Sequence, residues 1–321
     1  MAKVVIVQPI RSEGIDLLLK NGFEVRQLAD RSLDSLKREV ADADAMLVRD
    51  ARIPREVIEC GKKLKVISRH GAGLENIDVD AATEHGIQVT NTPVANSTSV
   101  AEHVLGLILS LAKNLQIMDR AVRDGRFEIR HQRYGLELEG KTLGIIGLGR
   151  IGRRLAAKAA LGLGMKVLGY DPYADPAALD PAILEVTGDW DRVFQESDFV
   201  SLNLPLTEKT RGIVGKRDFA LMKRTAFFIN CSRGQVVVEG DLIEALQEGL
   251  IAGAGLDVYE TDPPSPDNPL LKMENTVLTP HSAAHTEEAM VNMAVHAAQG
   301  IVEVLNGRPP TWPVNKVRSR D

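Results

Sequence analysis

Short apolar runs separated by amphipathic stretches set the rhythm of this chain. Lys3–Val7, Glu24–Leu28, Ala45–Val48, Lys65–Ser68 and Ile87–Val89 are too short for helices and read as strands. Glu13–Lys20, Leu33–Ala43, Arg55–Cys60 and Val79–Glu84 lie between them and read as helices. Such alternation predicts a parallel sheet with helices on its faces. After the loop Asn91–Thr98, Ser99 and Glu102 have capping-box spacing, which predicts a helix opening there and running to about Gln116. This helix is apolar almost all round, so burial on several sides is expected, in a core or against a partner subunit. The rhythm then resumes with a strand at Leu143–Ile146, a helix at Arg150–Leu163 and a strand at Met165–Tyr170. Asp198–Leu202, Ala226–Asn230, Ile251–Val258 and Thr276–Leu278 are further strands, and Glu239–Glu248 is a further helix. The last long helix, Thr286–Leu305, has no strand after it and is expected to pack back on the first domain.

Gly147, Gly149 and Gly152 follow Leu143–Ile146 at once, in the spacing Gly-x-Gly-x-x-Gly. One glycine serves a tight turn, one the close approach of backbone to a pyrophosphate, one the packing of helix on strand. The helix N-terminus offers unpaired N–H groups and partial positive charge to the same anion. Asp171 ends the next strand, 19 residues after the last glycine, where a carboxylate can bond the adenosine ribose hydroxyls. A glycine triplet alone is an ordinary turn. Strand, helix, second strand and terminal Asp in register make it a dinucleotide motif, and a carboxylate that repels a 2′-phosphate favours NAD over NADP. The expected fold is α/β. A doubly wound parallel-sheet (Rossmann) domain, residues 99–285, is inserted into a smaller flavodoxin-like α/β domain made of residues 1–98 plus 286–321.

Composition narrows the picture. A chain of 321 residues can bury full cores and make two domains. A net charge of −5 and a pI near 5.9 give no basic field for nucleic acid. Val100–Ala112 is interrupted by Glu102 and His103 and is too short to span a bilayer, so no membrane partner is expected. The two cysteines, Cys60 and Cys231, have no metal-ligand spacing. With no signal peptide they point to the reducing cytoplasm, and no metal is expected.

The chemistry is expected outside the carboxyl ends of the strands. Arg233 follows Ala226–Asn230, Asp257 ends Ile251–Val258 with Glu260 and Asp262 in its loop, and His281 follows Thr276–Leu278 by way of Pro280. Arg can hold a substrate carboxylate bidentately and polarise the carbonyl beside it. His can donate a proton to a developing alkoxide. A carboxylate behind the ring orients it and stabilises the imidazolium. Each residue alone would pass for a loop or surface residue, and their convergence on one crevice is what marks them. His70, His85, His103, His131, His285 and His296 have no such placement, and Cys231 reads as strand-end packing rather than as a nucleophile.

These residues carry a resemblance. GLGRIG at Gly147–Gly152, INCSRG at Ile229–Gly234, GLDVYETDPP at Gly255–Pro264 and TPHSAA at Thr279–Ala284 are similar to the ordered motifs of the D-isomer-specific 2-hydroxyacid dehydrogenases. The resemblance runs along essentially the whole chain. It implies an NAD-dependent oxidoreductase with catalytic Arg233 and His281, and with Asp262 at the acid position where the family most often has Glu. It implies that Arg150 and Ile151 form the pyrophosphate turn, that Pro205 and Thr210 line the adenosine side, and that Asp257 binds the nicotinamide amide. Cys231 in INCSRG joins that cofactor set. Ala72 and Gly73 would bind the substrate carboxylate through their backbone, in a cleft between two domains, and the protein would be a homodimer built on the nucleotide domain. RHGAGLENIDVDAATEHGIQVTNTP and LVRDAR are similar to segments of the 3-phosphoglycerate dehydrogenases, which places Arg49 and Arg69 for an anionic group on the substrate. Hydroxypyruvate or glyoxylate reduction is the neighbouring activity. An NAD-sensing corepressor is the alternative of another class, and retention of all three catalytic residue types speaks against it.

Overall fold

A computed structural model describes residues 1–317. The chain divides into two compact units, Met1–Asn96 with His285–Asp321, and Ser97–Ala284. The first domain was expected to run to residue 321, and residues 318–321 lie outside the described residues.

In the first unit the strands are β1 (Lys3–Ile6), β2 (Glu24–Gln27), β3 (Ala45–Val48), β4 (Val66–Arg69) and β5 (Gln88–Thr90). Its helices are α1 (Ser12–Lys20), α2 (Leu33–Val40), α3 (Arg55–Ile58) and α4 (Val79–Glu84), joined at the end of the chain by Glu287–Leu305. The strands pair in parallel, in the order β2-β1-β3-β4-β5. A parallel sheet covered on both faces buries both sets of side chains, so β1 and β3 read as unbroken apolar runs. Val4, Ile6, Ala45 and Leu47 face one layer with Leu18, Ala297 and Ile301, while Val5, Met46 and Val48 face the other with Leu36, Val57 and Ala81. The C-terminal helix thus packs into this unit, against α1. A side chain at Gly14 would meet the Ala294 carbonyl at 2.6 Å, which is why the contact needs glycine there. Two hydroxyls buried in the same layer are paired: Ser68 Oγ donates to the Ala297 carbonyl at 2.8 Å and Thr90 Oγ1 donates to Ser68 Oγ at 2.9 Å.

The second unit opens with α5 (Ser97–Ala112) and α6 (Leu115–Arg123). Then follow β6 (Thr142–Ile146), α7 (Arg150–Leu163), β7 (Lys166–Tyr170), β8 (Glu185–Val186), α8 (Trp190–Glu196) and β9 (Phe199–Leu202). After them come α9 (Lys216–Leu221), β10 (Phe227–Asn230), α10 (Glu239–Gln247), β11 (Gly253–Leu256) and β12 (Thr276–Leu278); the C-terminal Glu287–Leu305 is α11. The seven strands are parallel, in the order β12-β11-β10-β9-β6-β7-β8. α5 and α7 cover one face, and α8, α9 and α10 cover the other.

Two expectations about the apolar helix are corrected. It opens at Ser97, so Ser99 lies inside its first turn and is 7% exposed, and the expected capping box is not its start. It also ends at Ala112 rather than near Gln116. Asn114 takes a left-handed backbone at φ 54°, a conformation Asn tolerates better than most residues, and α6 begins after it. The burial of Val104, Ile108 and Leu111 is accounted for inside the unit, where α5 packs on α7, β10, β11 and β12. α6, β8, α8 and α9 were not anticipated. β8 is two residues at a sheet edge, too short for a pattern, and α6 mixes its apolar residues with Gln116, Asp119, Arg120 and Arg123 and leaves Leu115 and Val122 exposed.

Candidate active site

Because the seven strands run the same way, the turns after β6, β7, β9, β10, β11 and β12 share one edge of the second unit. The glycine turn occupies the middle of that edge. Gly147 takes φ 96°, and a Cβ there would meet the Asn203 carbonyl at 2.5 Å. A Cβ at Gly152 would stand 2.1 Å from the Gly147 carbonyl, so helix α7 can sit this close to its own turn solely with glycine at that position. Gly149 differs: no atom lies within 4 Å of where its Cβ would be. The bare backbone at Gly149, with Arg150 and Ile151 opening α7 behind it, is the cradle a pyrophosphate needs, and the residues present fit a dinucleotide. Asp171 lies just past β7. Its carboxylate accepts from Leu148 N and from Tyr173 N, both at 2.9 Å, which ties it to the glycine turn and leaves acceptor capacity for a further donor. Pro205 and Thr210 lie in the loop after β9, closed by the Thr210 hydroxyl donating to the Pro205 carbonyl at 2.6 Å.

Asp257 follows β11 and is 1% exposed. Its Oδ1 accepts from the Thr279 hydroxyl at 2.6 Å and Ser282 N at 2.8 Å, and its Oδ2 accepts from Ala283 N at 2.9 Å. Burial of a carboxylate is tolerated here because these donors replace water. His281, in the turn so held, takes a left-handed backbone at φ 52°. Its Nδ1 is 2.8 Å from Asp262 Oδ2, and Asp262 Oδ1 accepts from Tyr259 N at 3.3 Å. The His281 side chain is 53% exposed and that of Asp262 37%, so the pair is open to a ligand. With Nδ1 facing the carboxylate, Nε2 is the nitrogen left for chemistry. The carboxylate that meets His281 is thus that of Asp262; Glu260, the rival for that role, is held through its backbone, whose N–H donates to Glu239 Oε2 at 2.8 Å and whose carbonyl accepts from Gln235 Nε2 at 2.6 Å.

Arg233 stands beyond β10. Asn230 Nδ2 donates to its carbonyl at 2.9 Å, and its Nη1 donates to the Ser232 carbonyl at 2.7 Å. Gly234 lets this loop close on the next one, since a Cβ there would fall 1.7 Å from the Tyr259 carbonyl. Cys231 is buried in the α5–α7 layer. Burial, with the Asp257 charge second, pushes its thiol well above the ordinary range, which suits packing and not nucleophilic attack.

The remaining candidates belong to the first unit. Arg49 follows β3: its N–H donates to Gln8 Oε1 at 2.9 Å and its Nη1 to the Pro9 carbonyl at 3.0 Å. Arg69 ends β4 and donates from Nη1 to the His70 carbonyl. In the loop that follows, the Ala72 carbonyl accepts from Asn91 Nδ2 at 2.8 Å, and Gly73 is half-buried. His70, left without a role by sequence reasoning, is 3% exposed. Burial first, and the Arg49 charge second, bring its pKa down from 6.5 to about 4.

Sequence reasoning also missed His103. It projects from α5, and its Nε2 lies 3.0 Å from Thr279 Oγ1 and 3.7 Å from Asp257 Oδ1. The signal available was a polar interruption of an otherwise apolar helix. Among the described residues no group of His, Cys, Asp and Glu could hold a metal ion, and no helix is long and apolar enough to cross a membrane.

Comparison with known proteins gives these geometries a family. The sequence model described as "D-isomer specific 2-hydroxyacid dehydrogenase, NAD binding domain" matches residues 105–283. The chain is 43% identical over 314 residues to the D-3-phosphoglycerate dehydrogenase of Archaeoglobus fulgidus, covering 98% of this chain and 59% of that one. It is 38% identical over 327 residues to the glyoxylate reductase of Korarchaeum cryptofilum, covering 98% of this chain and 96% of that one. Among solved structures it is similar to the TT0316 protein of Thermus thermophilus, with a TM-score of 0.89 and 33% identity, covering 98% of this chain and 100% of that one. The chain spans less than three-fifths of the length of the Archaeoglobus protein and of a second phosphoglycerate dehydrogenase, at 59% and 58%. The chain belongs to the D-isomer-specific 2-hydroxyacid dehydrogenase family, and the unit bearing the glycine turn is its NAD-binding domain.

The buried His70 generates a prediction about acid stability. The unfolded chain takes up a proton near pH 6.5 that the folded chain refuses until about pH 4, so stability present above pH 6.5 is lost as pH falls through that window. The loss should approach roughly 3 kcal/mol by pH 4. Urea unfolding of wild type and His70→Asn at pH 7 and pH 4.5 checks it: the variant should show the smaller difference between the two pH values. Equal differences would remove His70 as the cause.

Proposed function

We propose that this member of the D-isomer-specific 2-hydroxyacid dehydrogenase family interconverts a D-2-hydroxy acid and its 2-oxo acid, with NAD as the redox partner. The observation that carries the reading is the pairing of His281 Nδ1 with Asp262 Oδ2 at 2.8 Å, on the same sheet edge as the glycine turn. When bound, the reduced nicotinamide supplies the hydride. The chain's own residues do the rest. Arg233 holds the substrate carboxylate in its planar fork and draws electron density from the neighbouring carbonyl. His281 gives the Nε2 proton to the oxygen that becomes the hydroxyl. Asp262 orients the ring and stabilises the imidazolium that must be present beforehand. Asp171 bonds the adenosine ribose hydroxyls and disfavours a 2′-phosphate there. The Ala72 and Gly73 backbone contributes to carboxylate binding.

For the substrate, we propose a three-carbon 2-oxo acid with a second anionic group, of the phosphoglycerate dehydrogenase type, with Arg49 and Arg69 receiving that group. The identity to a named phosphoglycerate dehydrogenase supports this. Reduction of hydroxypyruvate or glyoxylate is the second reading, favoured by the near-complete coverage of a named glyoxylate reductase. NADH oxidation against phosphohydroxypyruvate, hydroxypyruvate, glyoxylate and pyruvate separates the two. The phosphorylated substrate should give the highest kcat/KM, Arg49→Ala should lower that value most for it, and NADPH should serve far less well than NADH. No turnover of any of the four with either cofactor would contradict the proposed activity.

Asp262 yields a second expectation. Removing its negative charge makes the proton on His281 easier to lose. Asp262→Asn should therefore slow reduction and move the alkaline limb of the pH–rate profile to lower pH, whereas Glu260→Gln should leave the limb in place. A limb displaced by Glu260→Gln alone would exchange their roles.

A homodimer is the proposed assembly. Leu115, Val122, Phe127 and Tyr134 are 52%, 57%, 57% and 78% exposed within one segment of the NAD-binding unit, apolar surface of the kind that subunit contacts cover. The same segment carries Arg123 and Arg126, paired with Asp119 and Asp124, and Arg130 over the Phe127 ring. Light scattering at micromolar concentration should give twice the mass of the 35.0 kDa chain, and Phe127→Asp should halve it. A wild-type monomer would refute the assignment.

A further inference from the structure

We infer that His103 and Thr279 are positioning residues for His281, acting through the buried carboxylate of Asp257; the catalytic consequence rests on the function proposed above. The starting point is the backbone of His281 at φ 52°. A non-glycine residue is held in the left-handed region when its surroundings over-determine it. Four contacts do so here. His281 N donates to the Thr279 carbonyl at 3.1 Å, and the Tyr259 hydroxyl donates to the same carbonyl at 3.0 Å. The next two amides, Ser282 N and Ala283 N, both donate into the Asp257 carboxylate.

That carboxylate is itself held. At 2.6 Å the Thr279 hydroxyl proton is committed to Asp257 Oδ1. The Thr279 oxygen then has its lone pairs for an incoming donor, and His103 Nε2 lies 3.0 Å away. His103 therefore carries its proton on Nε2 and donates. The run from α5 through the His103 ring, the Thr279 hydroxyl and the Asp257 carboxylate to the amides after His281 is continuous. Removing its middle member leaves each carboxylate oxygen with a single amide donor, so the carboxylate can turn and both amides loosen. The His281 ring would then lose its register with Asp262, although neither His103 nor Thr279 touches it.

The test pairs each disruptive change with a conservative one. Thr279→Val keeps the shape and deletes the hydroxyl, while Thr279→Ser keeps it. His103→Phe keeps a ring and deletes the donor, while His103→Gln can place an N–H near the position of Nε2. Amide hydrogen exchange at Ser282 and Ala283 is read on the protein without substrate. Thr279→Val and His103→Phe should speed it about tenfold, the scale of one lost hydrogen bond to a charged group. In reduction assays the same variants should lower kcat by about tenfold or more with little change in KM, and shift the alkaline limb to lower pH. Thr279→Ser and His103→Gln should restore exchange and limb together. Unchanged exchange in Thr279→Val and His103→Phe overturns the inference, whatever their activity. Faster exchange that the conservative variants fail to restore overturns it too, as loss of packing rather than of the hydrogen-bond run. If the wild type reduced no 2-oxo acid, the function proposed above would fall, and the exchange data would still decide whether the run holds the turn.

Discussion

One constraint organises the second unit: its seven strands all run the same way. Parallel pairing puts the carboxyl ends on one edge, so turns separated by more than a hundred residues of sequence become neighbours there. The strands can run this way because helices cover both faces, and both faces are therefore apolar. The interior of each strand carries no chemistry as a result. Function is displaced to the first residues after each strand, where the backbone leaves the ladder and side chains no longer have to be apolar. The glycine turn, Asp171, Arg233, Asp257 and His281 all occupy such positions.

At that edge the buried Asp257 carries most of the local order. A carboxylate that is 1% exposed must have its solvation replaced by protein donors, and the donors come from the turn that contains His281. The hydrogen bonds that offset the cost of burying the charge thus also hold a turn with an unfavourable backbone. Asp262 has the opposite setting. It is part-exposed and paired with a part-exposed ring. Two carboxylates five residues apart serve different ends because one is sealed and the other is open.

Much of this was legible in the sequence, for a physical reason. Strands buried on both faces are short continuous apolar runs, and Ala45–Val48 can be read without reference to anything distant. The glycine spacing and the residues just past each strand follow from the same frame. What was not legible depended on tertiary contact or on single backbone angles. The break at Asn114 is one left-handed residue just past the apolar run, and no periodicity announces it. The capping-box spacing at Ser99 and Glu102 lies inside α5, because Ser97 and Thr98 are already helical. His103 has its meaning through Thr279, 176 residues away, a pairing that no local pattern contains. The low pKa of His70 likewise comes from burial and from Arg49 on the neighbouring strand end.

On the function proposed above, this edge carries hydride to or from C2 of a D-2-hydroxy acid. NADH deuterated at nicotinamide C4 on the transferred face, incubated with the protein and an unlabelled 2-oxo acid, follows that transfer. One deuterium should appear at C2 of the product, in the D enantiomer alone. Product of the L configuration, or product without deuterium at C2, would contradict it.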